Sequence, residues 1–228
     1  PLIAALYRQE RAPKASDPEP KATAPREWSR GEVMRDPIFW LVLTGTMAPP
    51  FIGTTIFFHQ VYLVELRGWS REAFAASFAL MSAMTIVCAL ISGALIDRYS
   101  AVRMLPSFLL PLGAACIVLS ISAAPWAPFV FMSLLGISYG FSSTLFGALW
   151  PEIYGTRHLG AIRSLIVAFM VLSTALGPGL TGMLIDFEVS YPAQILVMGV
   201  YCLVASLALF FASRRLEARN AAIADGLQ

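Results

Sequence analysis

The stretch GALIDRYSAVRML, residues 93–105, sets three charged side chains, Asp97, Arg98 and Arg103, between two apolar runs. The rest of the 228-residue chain is strongly apolar, with 57% hydrophobic and only 13% charged residues. A soluble domain carries about 25% charged residues, so this composition indicates an integral membrane protein that contacts the lipid bilayer. The charges near residue 100 then mark a point where the chain leaves the bilayer between two helices.

Six apolar runs are each long enough to cross a hydrocarbon layer of about 30 Å as a helix. They cover residues 37–66, 72–96, 104–122, 127–150, 161–185 and 192–213. We therefore predict an all-α membrane protein with a six-helix transmembrane bundle over residues 37–213.

The two ends of the chain differ from this bundle. Residues 1–7 are apolar but shorter than the roughly 20 residues of a membrane helix, and they lack the basic start of a signal peptide. We expect them to end a transmembrane helix that begins before Pro1, which would make the chain a fragment. Residues 8–36 are polar and proline-rich, as is typical of a linker, and residues 214–228 form a polar tail.

The distribution of Lys and Arg predicts the orientation. Fourteen of the 16 lie in the linker, in the loops after the second and fourth runs, and in the tail. Only Arg67 and Arg71 lie on the opposite side. Because cytoplasmic loops are enriched in these residues, we expect both termini to be cytoplasmic, in a bacterial inner membrane.

The first five letters of the opening stretch occur again in nearly the same form, as GALID at 93–97 and GMLID at 182–186. Each copy ends the middle helix of a group of three predicted spans. Because three spans reverse the direction of the chain, the copies lie on opposite faces of the membrane. This predicts two three-helix repeats of inverted topology, a common plan in transporters. Coincidence between short apolar sequences is the alternative.

The opening stretch also resembles a loop signature of the major facilitator superfamily, Gly-x-x-x-Asp-Arg-x-Gly-Arg-Lys. The match lies at Gly93, Asp97, Arg98 and Arg103, while Ser100 replaces the glycine of the signature. On physical grounds, Gly93 would let two helices approach closely, and Asp97 would face the positive N-terminus of a neighbouring helix.

Two further stretches are similar to the C-terminal half of such transporters. WPEIYGTRHLG, residues 150–160, is similar to the loop before the eleventh helix, and GPGLTGMLID, residues 177–186, to that helix itself. Residues 154–164 are also similar to the monocarboxylate or oxalate–formate branch.

The resemblance implies one half of a twelve-helix transporter that moves a small solute by alternating access, coupled to ions or protons. It implies that the residues matching the signature form a latch on the cytoplasmic side. The partner of Asp97 would then lie on an N-terminal six-helix half.

Polar side chains inside the apolar runs predict a substrate path, because they are costly there unless they serve a function. One stripe, in the first run, contains Thr44, Thr55, His59 and Tyr62. A second, in the fourth run, contains Tyr139 and Ser143. Helix packing is the alternative for these stripes, and contact with interfacial water is the alternative for His59.

Prolines and glycines predict bends and close contacts. Pro49 and Pro50 are expected to interrupt the helix of the first run beside the substrate path. Gly177 and Pro178, with Gly182, are expected to give a bend and a close helix contact in the fifth run.

A serine hydrolase is the enzyme that the sequence most nearly fits. Gly136-Ile-Ser138-Tyr-Gly140 has the Gly-x-Ser-x-Gly pattern, and a serine in the fourth of six spans resembles a rhomboid intramembrane protease. Such a serine needs a base, but the sixth run has no histidine and His158 lies in a predicted loop. We therefore do not expect an enzyme.

No other site chemistry is predicted. Cys88, Cys116 and Cys202 have neither metal-ligand nor disulfide spacing. We expect no metal, no cofactor and no nucleic-acid partner. The expected partners are the bilayer, the other half and a small-molecule substrate. A complete six-helix protein that pairs with itself, as a half-size transporter or pore, is the alternative to a fragment.

Overall fold

The computed structural model describes residues 27–225, which form nine α-helices and no β-strand. The helices are α1 (Arg30–Arg35), α2 (Pro37–Phe58), α3 (Gln60–Arg67), α4 (Arg71–Tyr99), α5 (Ala101–Met104), α6 (Leu110–Ile121), α7 (Ala127–Tyr154), α8 (Leu159–Asp186) and α9 (Tyr191–Asp225). The helix end expected at residues 1–7 and most of the predicted linker lie outside the described residues.

The six predicted runs correspond to α2, α4, α6, α7, α8 and α9. All except α6 are long and apolar enough to cross a membrane, and α6 is an apolar helix of 12 residues. The prediction of an all-α membrane protein is therefore confirmed.

The expected interruption at Pro49 and Pro50 is wrong, because both prolines lie inside the continuous helix α2. The break instead comes at His59, between α2 and α3. The carbonyl of Thr55 accepts the backbone N–H of His59 at 3.1 Å, and His59 Nδ1 lies 3.1 Å from the same oxygen. Tyr191 also donates its hydroxyl to this carbonyl, at 3.4 Å. Side chains that insert into the helical ladder bend a helix in this way.

The third run does not form one helix over 104–122 as predicted. Residues 105–109 form turns between α5 and α6, closed by bonds such as Ser107 N–H to Met104 O at 3.1 Å. Pro106 and Pro111 explain the difference, because proline has no N–H for a helical bond. At the other end of the chain, α9 runs to Asp225, beyond the predicted end of its span at residue 213.

Helix pairing reflects the internal repeat. The most extensive contacts join α4 to α7, α2 to α8, and α6 to α9, followed by α6 with α7 and α9 with α2. The first triplet is α2, α4 and α6, and the second is α7, α8 and α9. Exchanging α2 with α7, α4 with α8 and α6 with α9 leaves this set of pairs unchanged. Such a pattern is expected when two equivalent three-helix units pack about a two-fold axis.

Glycines allow the closest of these contacts. A Cβ added to Gly136 would meet the backbone of α4 at Met81, and one added to Gly140 would lie 2.8 Å from the backbone nitrogen of Ala89. Because lipid gives helices no hydrophobic reason to associate, close backbone approach is a main source of packing energy. The Gly-x-Ser-x-Gly pattern is thus part of a helix contact.

The same arrangement joins α2 to α8. A Cβ on Gly177 would lie 2.7 Å from the carbonyl oxygen of Phe51, so the predicted close contact is present at this glycine. Pro178, the next residue, lies inside the continuous helix α8. Gly182 has only an ordinary contact, 3.7 Å from its Cβ position to His59 Nε2.

Loop contacts define two ends of the bundle. The basic end carries Arg98, Arg103, Arg157, Arg163, Arg214, Arg215 and Arg219. At the far end, the guanidinium of Arg67 donates to the carbonyls of Leu119 and Ser120, and Trp69 Nε1 donates to Ala123 O at 2.8 Å. Arg67 thus satisfies carbonyls in the last turn of α6, where its positive charge suits a helix C-terminus, and Trp69 binds the loop that follows.

One face of the bundle has no cover among the described residues. Helices α6 and α9 lie behind α2 and α7, while α4 and α8 flank the opposite side. In the most apolar windows of α4 and α8, only 11% and 17% of residues are buried, against 56% for α2 and 50% for α7. We call this uncovered face, between α4 and α8, the front groove.

Substitution of Gly140 by alanine tests the α4–α7 contact. The added Cβ would meet the backbone of α4, so we expect the free energy of unfolding to fall by about 1–3 kcal/mol. Gly147→Ala on the same helix is the matched control, because nothing lies within 4 Å of its Cβ position. Thermal unfolding in detergent would measure the stability of both variants. An equal loss of stability in the two would contradict the proposed importance of the contact at Gly140.

Candidate functional site: a charged cluster and an open groove

Charged residues from three helices meet around the opening stretch at the basic end. Arg103 Nε donates to Glu217 Oε1 of α9 at 2.7 Å. Glu152 Oε2 of α7 accepts the backbone N–H of Ala101 at 2.8 Å and so satisfies the start of α5. These side chains line a polar cavity of about 460 Å³ together with Asp97 and others. The cluster ties α5, which directly follows α4, to α7 and α9.

The other residues that match the signature make fewer contacts with described residues. Asp97 lies in the cavity wall and forms no ion pair with a described residue. The helix start beside it is satisfied by Glu152 rather than by Asp97. The guanidinium of Arg98 lies 5.3 Å from the ring of Tyr99. Gly93 has nothing within 4 Å of its Cβ position, so the close helix contact expected there is absent from the described residues.

Ser100 stands where the signature has glycine, and its backbone shows why glycine suits the position. It adopts φ 80° and ψ 152°, a region that side chains with a Cβ rarely occupy. Its hydroxyl accepts the backbone N–H of Arg103 at 3.4 Å. This long hydrogen bond caps the start of α5 and partly offsets the strain of the Ser100 backbone.

A second cluster at the basic end is buried and centred on Asp36. Its Oδ1 accepts the backbone N–H of Ile38 at 2.9 Å and caps α2. Its Oδ2 accepts the hydroxyl of Tyr154 at 3.1 Å and Arg219 Nη1 at 2.8 Å. The guanidinium of Arg219 also lies 5.0 Å from the ring of Trp28. The cluster joins the segment before α2 to α7 and α9.

The floor of the front groove follows one face of α7. Ser143 is exposed there. Gly147, one turn further on, is also exposed and has nothing within 4 Å of its Cβ position. Arg163 of α8 donates from Nη2 to the carbonyl of Gly147 at 2.9 Å, which places a cation at the basic-end mouth of the groove. One turn in the other direction, the hydroxyl of Tyr139 presses against Gly53 of α2.

The predicted path residues of the first run do not join this groove. Thr44 lines a separate, apolar cavity of about 360 Å³ between α2, α8 and α9. Its backbone carbonyl accepts the hydroxyl of Tyr201 at 2.9 Å. Val197, in the wall of this cavity, is 67% exposed, so the cavity opens to the side of the bundle.

The remaining members of that stripe lie toward the far end. Thr55 is fully buried against Gly177 and donates its hydroxyl to Phe51 O at 2.7 Å. The rings of His59 and Tyr62 lie 5.6 and 5.9 Å from the ring of Tyr191. The described contacts therefore do not bring the two stripes together on one surface. Tyr139 packs against Gly53 of α2, whereas Ser143 is exposed on α7. The transport roles of all these residues stay predictions.

Several residues of these clusters were not identified from the sequence. Asp36 lies at the end of the predicted linker, and Glu152 lies in a stretch that is similar only to a loop. Glu217 and Arg219 lie in a region read as tail, and Arg163 was counted only for orientation. A carboxylate directly before the Pro37 helix was the available signal, but its partners are more than 100 residues away along the chain.

Substitution of Asp36 by asparagine tests the buried cluster. Only 6% of the Asp36 side chain and 22% of the Arg219 side chain are exposed. Removing one charge leaves the other poorly compensated, so we expect a loss of about 3 kcal/mol in the free energy of unfolding. Glu65→Gln is the control, because the Glu65–Arg71 pair is 59% and 70% exposed and should contribute less than about 1 kcal/mol. Chemical denaturation would compare the variants, and similar losses would contradict the assigned role.

Comparison with protein families gives a match to the Major Facilitator Superfamily over residues 1–167 and again over residues 85–227. A search of the curated proteins finds no significant match. The two matched segments overlap and together extend over almost the whole chain, with the six spans and the signature inside them. The chain belongs to the major facilitator superfamily of membrane transporters.

Proposed function

We propose that the six-helix bundle is the C-terminal half of an alternating-access transporter, in which a small solute passes along the front groove. The observation that carries this proposal is the uncovered, strongly apolar surface of α4 and α8, on either side of α7 with its exposed Ser143. A second six-helix unit seated on this face would cover the apolar flanks and enclose the groove between the two units.

The repeat supports rocking of one unit against another. The helix pairing is symmetric under exchange of the two triplets, and transporters built from such repeats hold substrate at the interface between units. The two overlapping matches to the family agree with this duplication. In this proposal the polar cavity around Asp97 forms the latch on the basic end, with a partner for Asp97 on the other half.

The orientation and coupling belong to the same proposal. The excess of arginine at the basic end supports a cytoplasmic location for that end, in a bacterial inner membrane. Transport is coupled to protons or other ions. The coupling acid lies on the other half, or His59 takes this role at the helix break between α2 and α3.

Transport in this proposal involves no covalent chemistry. The hydroxyl of Ser138, the serine of the Gly-x-Ser-x-Gly pattern, donates to the carbonyl of Phe108 at 3.3 Å. It is fully buried against the turns that precede α6, where a nucleophile would have no access to substrate.

Labelling of cysteine variants in the full-length protein tests the groove. Ser143→Cys should react with a membrane-impermeant maleimide, because an alternating-access path is open to water from one side at a time. Val197→Cys is the matched control, since its side chain is 67% exposed but faces the bilayer in this account. The unsubstituted protein gives the background from its own cysteines. Equal labelling of the two variants would refute the assignment of the groove.

A further inference from the structure

We infer that a pocket between α9 and α5 with the turn that follows α5 binds the headgroup of an anionic phospholipid. The pocket is lined by Arg103, Pro106, Phe210, Ser213, Arg214 and Glu217 and has a volume of about 320 Å³. It lies at the basic end, on the side of the bundle away from the front groove, because α6 and α9 pack behind α2 and α7.

The pocket offers hydrogen-bond donors that the described residues leave unused. Arg103 binds Glu217 through Nε, and its two terminal nitrogens have no partner among these residues. The guanidinium of Arg214 contacts the ring of Phe210 at 5.3 Å and forms no ion pair with a described residue. The hydroxyl of Ser213 likewise has no hydrogen-bond partner in this part of the chain.

The charge balance of the pocket favours an anion. Two guanidinium groups face one carboxylate, that of Glu217, so the pocket keeps a net positive charge. The planar fork of arginine matches the geometry of phosphate oxygens. The Arg103–Glu217 pair is largely exposed, at 63% and 34%, so this contact does not exclude a further acceptor from Arg103.

The apolar surroundings select a lipid rather than a free anion. Leu110, Phe210 and Phe211 are 46%, 42% and 59% exposed, and they lie on the membrane side of Arg214, which directly follows the predicted span. A phospholipid would place its phosphate on the arginines and its acyl chains along these side chains. Basic pockets between helices at the cytoplasmic surface recognise anionic headgroups in this manner.

Thermal unfolding of the full-length protein in detergent tests the inference. Phosphatidylglycerol, phosphatidylcholine and inorganic phosphate would be titrated separately. Phosphatidylglycerol should raise the unfolding temperature, and Arg214→Gln should increase the half-maximal lipid concentration about five-fold. Arg215→Gln is the matched control, because it removes the same charge from the next residue, which does not line the pocket. It should leave that concentration unchanged.

Three results would overturn the inference. Equal weakening in Arg214→Gln and Arg215→Gln would show a diffuse attraction between the basic end and any anionic surface. Equal stabilisation by inorganic phosphate would assign the pocket to a free anion. Equal stabilisation by phosphatidylcholine would show that the charge of the headgroup is not recognised.

Discussion

Direct contact between helix backbones is the constraint on which this structure depends. A bilayer gives apolar helices no hydrophobic reason to associate, so close packing must hold them together. Each of the three most extensive helix pairs contains such a contact, at Gly140 for α4 and α7, at Gly177 for α2 and α8, and at Gly113 facing Gly199 for α6 and α9. These pairs fix where α4 and α8 lie, and therefore where the front groove opens.

The two ends of the bundle use charge in different ways. At the far end, Arg67 satisfies the carbonyl end of α6, which is a local role. At the basic end, Asp36 and Arg219 join parts of the chain 183 residues apart. Asp97 remains unpaired within the same region. The basic end thus combines a buried structural cluster with a neighbouring acid that forms no ion pair with a described residue, which is what the proposed latch requires.

Hydrophobic runs and the GALID repeat were sufficient to predict five long membrane helices, a shorter sixth apolar helix and their pairing as two triplets, because these features depend on local composition and period. Details that depend on tertiary contacts were not predictable. Pro49 and Pro50 fit within α2, whereas Tyr191, far along the chain, contributes to the break at His59. Likewise, the two polar stripes have the same helical spacing, but Ser143 is exposed on α7, whereas Thr55 is fully buried against α8. Spacing places residues on a face, whereas neighbouring helices decide what that face contacts.

An oxygen-accessibility scan along α4 tests the central claim, that another protein unit covers the front face. Spin labels would be placed in turn at residues 79–95 of the full-length protein in a bilayer, with Val204 of α9, 61% exposed, as the lipid-facing reference. The account predicts that exposed positions on one side of α4 are shielded from oxygen, with a period of about 3.6 residues. Accessibility equal to that of Val204 at every exposed position of α4 would contradict it.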